Sequence, residues 1–233
     1  ESVRSRQGFS AEQVILAIDT TAAFGSIALC ENGSVVEELL LHAPDGFGSI
    51  LFPQIEALLS RHNITVGEIA CFAAASGPGS FTGVRVGLTA AKGLAEAAGK
   101  PMVAVSNLRA LAFFGTRPLR ATVLDARRGQ VYGAVYDALL QPQSGEVVDA
   151  FPHWLASLPS GEIEFIAQDF APFAPAVAGG RFAETPVTIA PRALAGAIGR
   201  IAGQEFAEGR GMDPAAIDAN YVRRSDAELL WKE

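Results

Sequence analysis

Apolar and polar residues follow two periods along the first half of the chain. Short apolar or alternating runs are typical of strands, whereas apolar residues three and four positions apart are typical of helices. The dipeptide Asn32-Gly33 is a type I′ turn signal that joins two of these strands as a hairpin. The predicted elements are, in chain order, strands at 14–18, 26–31 and 34–41, a helix at 49–61, a strand at 69–75, a helix at 82–98 and a strand at 102–105.

The order β-β-β-α-β-α-β is typical of the actin-like (ribonuclease H-like) core, in which hairpins start a sheet and helical crossovers extend it with parallel strands. The opening unit recurs in the second half, where an apolar strand at 121–125, a polar loop at 126–129 and an alternating strand at 130–137 follow one another. Both units place an Asp at the end of the first strand, and this repetition predicts duplication of one fold.

In proteins of this class the two loops face each other across a cleft and hold ATP phosphates and Mg²⁺. An Asp at a strand end is also an ordinary turn residue, so a purely structural role for both Asp residues stays open. The candidate phosphate-loop residues are Asp19, Thr20, Thr21 and Ser26 in the first unit, and Asp125 and Gly129 in the second.

The second half predicts a shorter version of the same fold. Residues 142–159 contain Gly and three prolines, which favours loops and short elements. A strand at 164–167 precedes Gln168-Asp169, where nucleotide-binding relatives carry glycines, and a helix at 191–208 closes the fold. We therefore predict a two-lobed, actin-like α/β protein with a reduced second lobe. Its parts are an N-terminal extension at 1–13 that is expected to be disordered, a first lobe at 14–106 and a second lobe at 107–233.

The most distinctive motif is SGPGSFTGVRVG at 76–87, between an apolar strand and a helix. Ser80 and Thr82 are placed to cap that helix, where free N–H groups attract anions. The motif is either a phosphate-binding loop or a close strand–helix contact that requires small residues, and it matches neither the Walker A nor the GxGxxG pattern. The candidate residues of this glycine-rich loop are Gly77, Pro78, Gly79, Ser80, Thr82, Gly83 and Arg85.

Composition and charge narrow the function classes. The net charge of −7 disfavours direct binding of nucleic acid, and no apolar stretch is long enough to span a bilayer. Cys30 and Cys71 lie inside apolar strands, which predicts buried thiols in a reducing cytoplasm. His42 and His62 are too far apart in sequence for an HExxH pair, which argues against a metalloprotease.

Four segments resemble the bacterial TsaB (YeaZ) family and cover nearly the whole chain in family order. They are VILAIDTTAAFGSIAL at 14–29, SGPGSFTGVRVGLTAAKGLA at 76–95, LDARRGQVYGAVY at 124–136 and NYVRRSDAELLWK at 220–232. The resemblance implies a non-catalytic subunit that helps to make threonylcarbamoyladenosine in tRNA. Its partners would be the transferase TsaD, the ATPase TsaE and, as a homodimer, a second copy of itself. Phe47 stands where relatives often have His.

The same resemblance implies that the helices at 49–61 and 82–98 form the partner interface, as a four-helix bundle. It also implies that tRNA is contacted only indirectly. No cofactor of the chain's own is expected, and an interface shared with the partner is where ATP or ADP with Mg²⁺ could bind. The alternatives are a self-sufficient ATP-dependent kinase or ATPase and, disfavoured by the histidines, a metalloprotease. The candidate interface residues are Ile50, Leu51, Ile55, Leu58, Val86, Thr89, Lys92 and Gly93.

Overall fold

The computed structural model describes residues 13–223, so nearly all of the predicted extension at 1–13 lies outside the described residues. Within them the first sheet has the strand order β3-β2-β1-β4-β5. Strands β1, β2 and β3 are antiparallel neighbours, and β4 and β5 join on the other side of β1 in parallel. The strands are β1 (Val14–Asp19), β2 (Phe24–Glu31), β3 (Ser34–His42), β4 (Cys71–Ala75) and β5 (Met102–Val105).

The second sheet repeats this topology. Its order, β10-β9-β6-β7-β8, places β6 in the position of β1, with antiparallel strands on one side and parallel strands on the other. The predicted duplication of an actin-like core is confirmed. The strands are β6 (Leu119–Asp125), β7 (Gln130–Asp137), β8 (Val147–Ala150), β9 (Ile163–Ala167) and β10 (Val187–Ile189).

The helices show where the second lobe is reduced. In the first lobe the two crossover helices have 11 and 18 residues, whereas their counterparts in the second lobe have 7 and 4. The second lobe has thus kept its five strands and shortened its crossovers. The helices are α1 (Leu51–Arg61), α2 (Phe81–Ala98), α3 (Asn107–Ala112), α4 (Phe151–Ser157), α5 (Ala174–Val177) and α6 (Ala195–Ala207).

Each lobe contributes one helix to the other. Apolar side chains of α1 and α2 cover one face of the first sheet, and α6, which follows the last strand of the second sheet, covers the opposite face. The contact with α6 is close, because a Cβ added at Gly199 would lie 2.5 Å from the sulfur of Cys30. In turn α3, which follows β5, packs on β6, β7 and β9. This exchange of helices brings the ends of β1 and β6 to one cleft.

Candidate functional site

A cleft of about 1060 Å³ lies between the lobes. Its walls include the loops that follow β1, β3 and β6, the glycine-rich loop before α2, and the segment 220–223 near the end of the described chain. Phe47 belongs to the loop that follows β3. All of the predicted glycine-rich loop residues except Gly77 and Arg85 line this cleft, as do Asp19, Thr20, Thr21 and Asp125. Ser26 and Gly129 are not among its lining residues.

Asp19 ends β1 as a buried carboxylate, with 1% of its surface exposed. Its Oδ1 accepts hydrogen bonds from the backbone N–H and the hydroxyl of Thr21, at 2.9 and 2.6 Å. Burial raises the pKa of Asp19, and the hydrogen bonds from Thr21, with a smaller contribution from Asn107, partly oppose that rise. One oxygen of the carboxylate, Oδ1, is therefore bound by the turn that follows its own strand.

Asn107, the first residue of α3, ties this turn to the glycine-rich loop. Its side-chain N–H donates to the Thr21 hydroxyl at 2.7 Å, and its Oδ1 accepts from the backbone N–H of Gly77 at 3.0 Å. The backbone N–H of Ser80 donates to the carbonyl of Thr21 at 2.7 Å. Sequence reasoning missed Asn107, because the short helix α3 has no distinctive periodicity.

The glycines of the loop serve close packing. A Cβ at Gly79 would lie 2.7 Å from the carbonyl oxygen of Thr21, and one at Gly83 would lie 2.0 Å from that of Thr20. The Thr20 hydroxyl also donates to the Gly83 carbonyl at 2.7 Å. The two loops are therefore in direct contact along this line, which supports the strand–helix packing interpretation of the motif.

The glycines of this loop differ in backbone conformation, and the expected capping role of Thr82 needs correction. Of its glycines only Gly77 has a positive φ, at 100°, so Gly79 is required for close approach and not for an unusual backbone conformation. Ser80 is the N-cap of α2 and accepts from the Gly83 N–H at 3.3 Å, whereas Thr82 lies inside the first turn. The Arg85 side chain lies over the ring of Phe81, with 3.7 Å from its guanidinium carbon to the ring centroid.

Ser26 lies outside the cleft, contrary to its prediction as a phosphate-loop residue. It is fully buried, and its hydroxyl accepts from the backbone N–H groups of Leu194 and Ala195, at 3.0 and 2.9 Å. The carboxylate of Glu38 accepts from the next N–H, that of Gly196, at 2.7 Å. Side chains of the first lobe therefore accept from three successive amides at the start of α6.

The second loop differs from the first in exposure. Asp125 is exposed, and its Oδ1 accepts from the Arg127 N–H at 2.7 Å. Arg127, Arg128 and Gly129 have successive positive φ values of 64°, 56° and 73°, and the two arginines line the cleft. Asp19 and Asp125 therefore occupy equivalent positions in the two units but differ in environment, since Asp19 is buried and Asp125 is exposed to solvent.

Gln168, which stands where nucleotide-binding relatives carry glycines, lines the cleft and makes hydrogen bonds of its own. The side-chain N–H of Gln168 donates to the carbonyls of Pro191 and Arg192, at 3.0 and 3.2 Å. Gly180 lines a separate groove of about 180 Å³ between α4 and α5. The Gln168 side chain therefore joins the wall of the cleft to the segment that precedes α6.

The predicted partner interface is only partly on the surface. Leu51, Ile55 and Leu58 are at most 3% exposed and pack in the core under α1, so their assignment to an outward face is wrong. The helix turns these three side chains toward the first sheet because they share its apolar face. Ile50, Val86 and Lys92 are half-buried, and Thr89 and Gly93 are exposed. The outward aromatic residue of α1 is Phe52, which is 51% exposed and was not predicted.

Three further observations concern metal sites, membrane spans and cysteines. Within residues 13–223 no group of three or more His, Cys, Asp or Glu side chains is arranged to hold a metal ion. No helix in the same residues combines the length and the hydropathy needed to span a bilayer. Cys30 and Cys71 are both buried free thiols, as predicted.

Comparison with known proteins gives the family. The family model described as "TsaD: tRNA N6-adenosine threonylcarbamoyltransferase" matches residues 43–187, more than half of the chain. A Bacillus subtilis (strain 168) protein named "tRNA threonylcarbamoyladenosine biosynthesis protein TsaB" is 38% identical over 124 residues, and its Escherichia coli (strain K12) namesake is 39% identical over 126. This chain belongs to the TsaD-type family and is similar to its members named TsaB.

The extent of these similarities differs between sequence and structure. Each of the two TsaB alignments covers 52% of this chain and 54% of the relative, so the chain matches about half the length of these curated relatives. The structure of YeaZ from Pseudomonas aeruginosa covers 90% of this chain and 99% of its own, with a TM-score of 0.73 at 24% identity. That likeness shows that both lobes share the fold of that protein.

Proposed function

We propose that this chain is an accessory subunit in the synthesis of threonylcarbamoyladenosine in tRNA, where it binds and supports a TsaD-type transferase. The proposal rests on membership of the TsaD-type family and on the similarity to proteins named TsaB. The structural observation that carries it is an outward surface on α1 and α2, which pack on the same face of the first sheet. We call this the partner face and define it by the exposed Phe52, Thr89 and Gly93 and by Val86, which is half-buried and also lines the cleft.

The chemistry of the partner face suits a helical partner. Phe52 offers a half-exposed aromatic side chain, and aromatic residues often anchor protein interfaces. Thr89 and Gly93 lie four residues apart on one side of α2. Nothing lies within 4 Å of a Cβ placed at Gly93, so another backbone can approach closely there. In the absence of the transferase, the same face would form an isologous homodimer.

The cleft loops have a structural role in this proposal. Asp19, Thr20 and Thr21 hold the glycine-rich loop in place, and that loop positions the first turn of α2. This chain then has no nucleotide of its own, and ATP or ADP with Mg²⁺ would bind only where a partner completes the site. TsaE would join the assembled pair, and tRNA would be contacted through the complex, in keeping with the net charge of −7.

A charge placed on the partner face tests the proposal. Phe52→Glu and Val86→Glu are expected to keep the circular dichroism spectrum and to lose the homodimer and the complex with the transferase in size-exclusion chromatography. Burying an unpaired carboxylate costs several kcal/mol, enough to weaken association by more than about a hundredfold. The matched control is Leu139→Glu, because Leu139 is an apolar residue of the second lobe that is 78% exposed.

tRNA modification assayed with the transferase distinguishes a scaffold from other roles. Both partner-face variants should fail to support modification, and the control should support it fully. Full modification by a folded variant that does not bind the transferase would contradict the proposal. Titration of the isolated chain with ATP and Mg²⁺ should show no tight binding. Sub-micromolar affinity with hydrolysis, lost in Asp19→Ala, would instead favour the kinase.

A further inference from the structure

The last described segment of the chain runs from the end of α6 across the first lobe and reaches the second. We call residues 212–223 the strap. It starts beside β5, where Met212 and Met102 exchange two backbone hydrogen bonds of 2.9 Å. Ile217 is then buried in the core between the strap and the first lobe, with 2% of its surface exposed. The strap is therefore anchored on the first lobe before it reaches the cleft.

Asn220 is the first residue of the strap that contacts both lobes. Its backbone N–H donates to the carbonyl of Ser76, at the end of β4, at 2.8 Å. Its side-chain N–H donates to Oε2 of Glu146, which immediately precedes β8, at 2.6 Å. The other oxygen of Glu146 accepts from the Tyr136 hydroxyl of the second lobe at 2.7 Å, and from the hydroxyl of Ser106, which precedes α3. Glu146 is thus a junction between the lobes and the strap.

Tyr221 and Arg223 attach the strap to opposite walls of the cleft. The Tyr221 ring packs on Phe81 with 5.0 Å between centroids, and its hydroxyl accepts from Nε of Arg85 at 3.0 Å, so it is held by the first turns of α2. Two residues later, Arg223 donates to the carbonyl of Ala126 at 2.8 Å and to Oε1 of Gln130 at 2.5 Å.

Because these anchors are so close in sequence, the walls that they join cannot separate far without breaking one of them. Fully extended chain spans only about 3.3–3.6 Å per residue. We infer that the strap links the two lobes and so fixes the width of the cleft. Arg223 makes the contact with the second lobe that completes this link. The inference concerns the isolated chain and does not depend on the proposed function.

The distance between the lobes tests this inference directly. Ser60→Cys on α1 and Ala156→Cys on α4 place spin labels at exposed positions of the two lobes. The native Cys30 and Cys71 are buried, so the labels should attach at the introduced sites. Double electron–electron resonance on the full chain should give one narrow distance distribution. Arg223→Ala should broaden it or add a longer distance, and Gln130→Ala, which removes only one of the two bonds, should do so to a smaller extent.

Arg61→Ala is the matched control, because it removes an exposed arginine whose ion pair with Glu37 stays within the first lobe. Hydrogen exchange gives a second readout, since the Ala126 and Gln130 amides close the loop that Arg223 contacts. Their exchange should quicken at least tenfold in Arg223→Ala and stay unchanged in Arg61→Ala. If Arg223→Ala does not fold, Gln130→Ala decides by the same measurements. Distributions and exchange rates equal to those of the parent chain would overturn the inference.

Discussion

Gly83→Ala is the sharpest test of the close contact between the glycine-rich loop and the turn after β1. The added Cβ would lie 2.0 Å from the carbonyl oxygen of Thr20, 3.0 Å from its carbonyl carbon and 3.2 Å from Cα of Thr21. All three atoms belong to backbone, so no side chain can rotate away. The start of α2 would have to move, and the hydrogen bond from the Thr20 hydroxyl to the Gly83 carbonyl would be strained or lost.

The expected magnitude follows from three contributions. Overpacking costs about 1–3 kcal/mol, the loss of a hydrogen bond costs about 1 kcal/mol, and Ala in place of Gly in a helix returns about 1 kcal/mol. We expect the free energy of unfolding to fall by roughly 1–3 kcal/mol, toward the upper end because the neighbouring atoms are backbone. For a domain of this size that lowers the melting temperature by about 2–12 °C.

Gly93→Ala is the matched control, since it makes the same change in the same helix where nothing lies within 4 Å of the new methyl group. It should raise the free energy of unfolding by about 0.5–1 kcal/mol. Urea unfolding followed by circular dichroism measures both variants. Equal stability of Gly83→Ala and Gly93→Ala would refute the close-packing account of the loop.

Three further predictions concern burial. Because burial raises the pKa of Asp19 in the fold, its contribution to stability is full below the unfolded pKa of about 3.9 and is lost as the pH rises through the folded pKa. The free energy of unfolding of Asp19→Asn minus that of the parent chain should therefore increase with pH across that window, and a flat difference would contradict it. Burial raises the pKa of Cys30 and Cys71 to about 12, so at pH 8 both thiols should react with a disulfide reagent only after unfolding. In urea unfolding, Leu51→Ala should lower the free energy of unfolding by about 2–5 kcal/mol, whereas Phe52→Ala should lower it little. Similar losses in the two variants would contradict the orientation of α1 described above.

The elements of the first lobe were largely predictable, because the patterns that specify them are local. The hairpin at Asn32-Gly33, the strand that ends at Asp19 and the cap at Ser80 each depend on residues a few positions apart. The echo of the first unit at 121–137 was visible for the same reason. The second lobe was harder to predict, since β8, β10 and α5 have only three or four residues and are held by neighbours distant in sequence.

What the sequence determined by itself is the duplicated α/β core and the family, since the strand and helix periods and the motifs lie within short windows. The tertiary structure decided the role of single side chains. Ser26 accepts hydrogen bonds from the amides of Leu194 and Ala195, and Arg223 donates to the carbonyl of Ala126 in the loop after β6. Periodicity shows that α1 has an apolar side, but only packing against the first sheet shows that Leu51 is buried and Phe52 is not. Such contacts join residues far apart in the chain, and no local pattern encodes which of them meet.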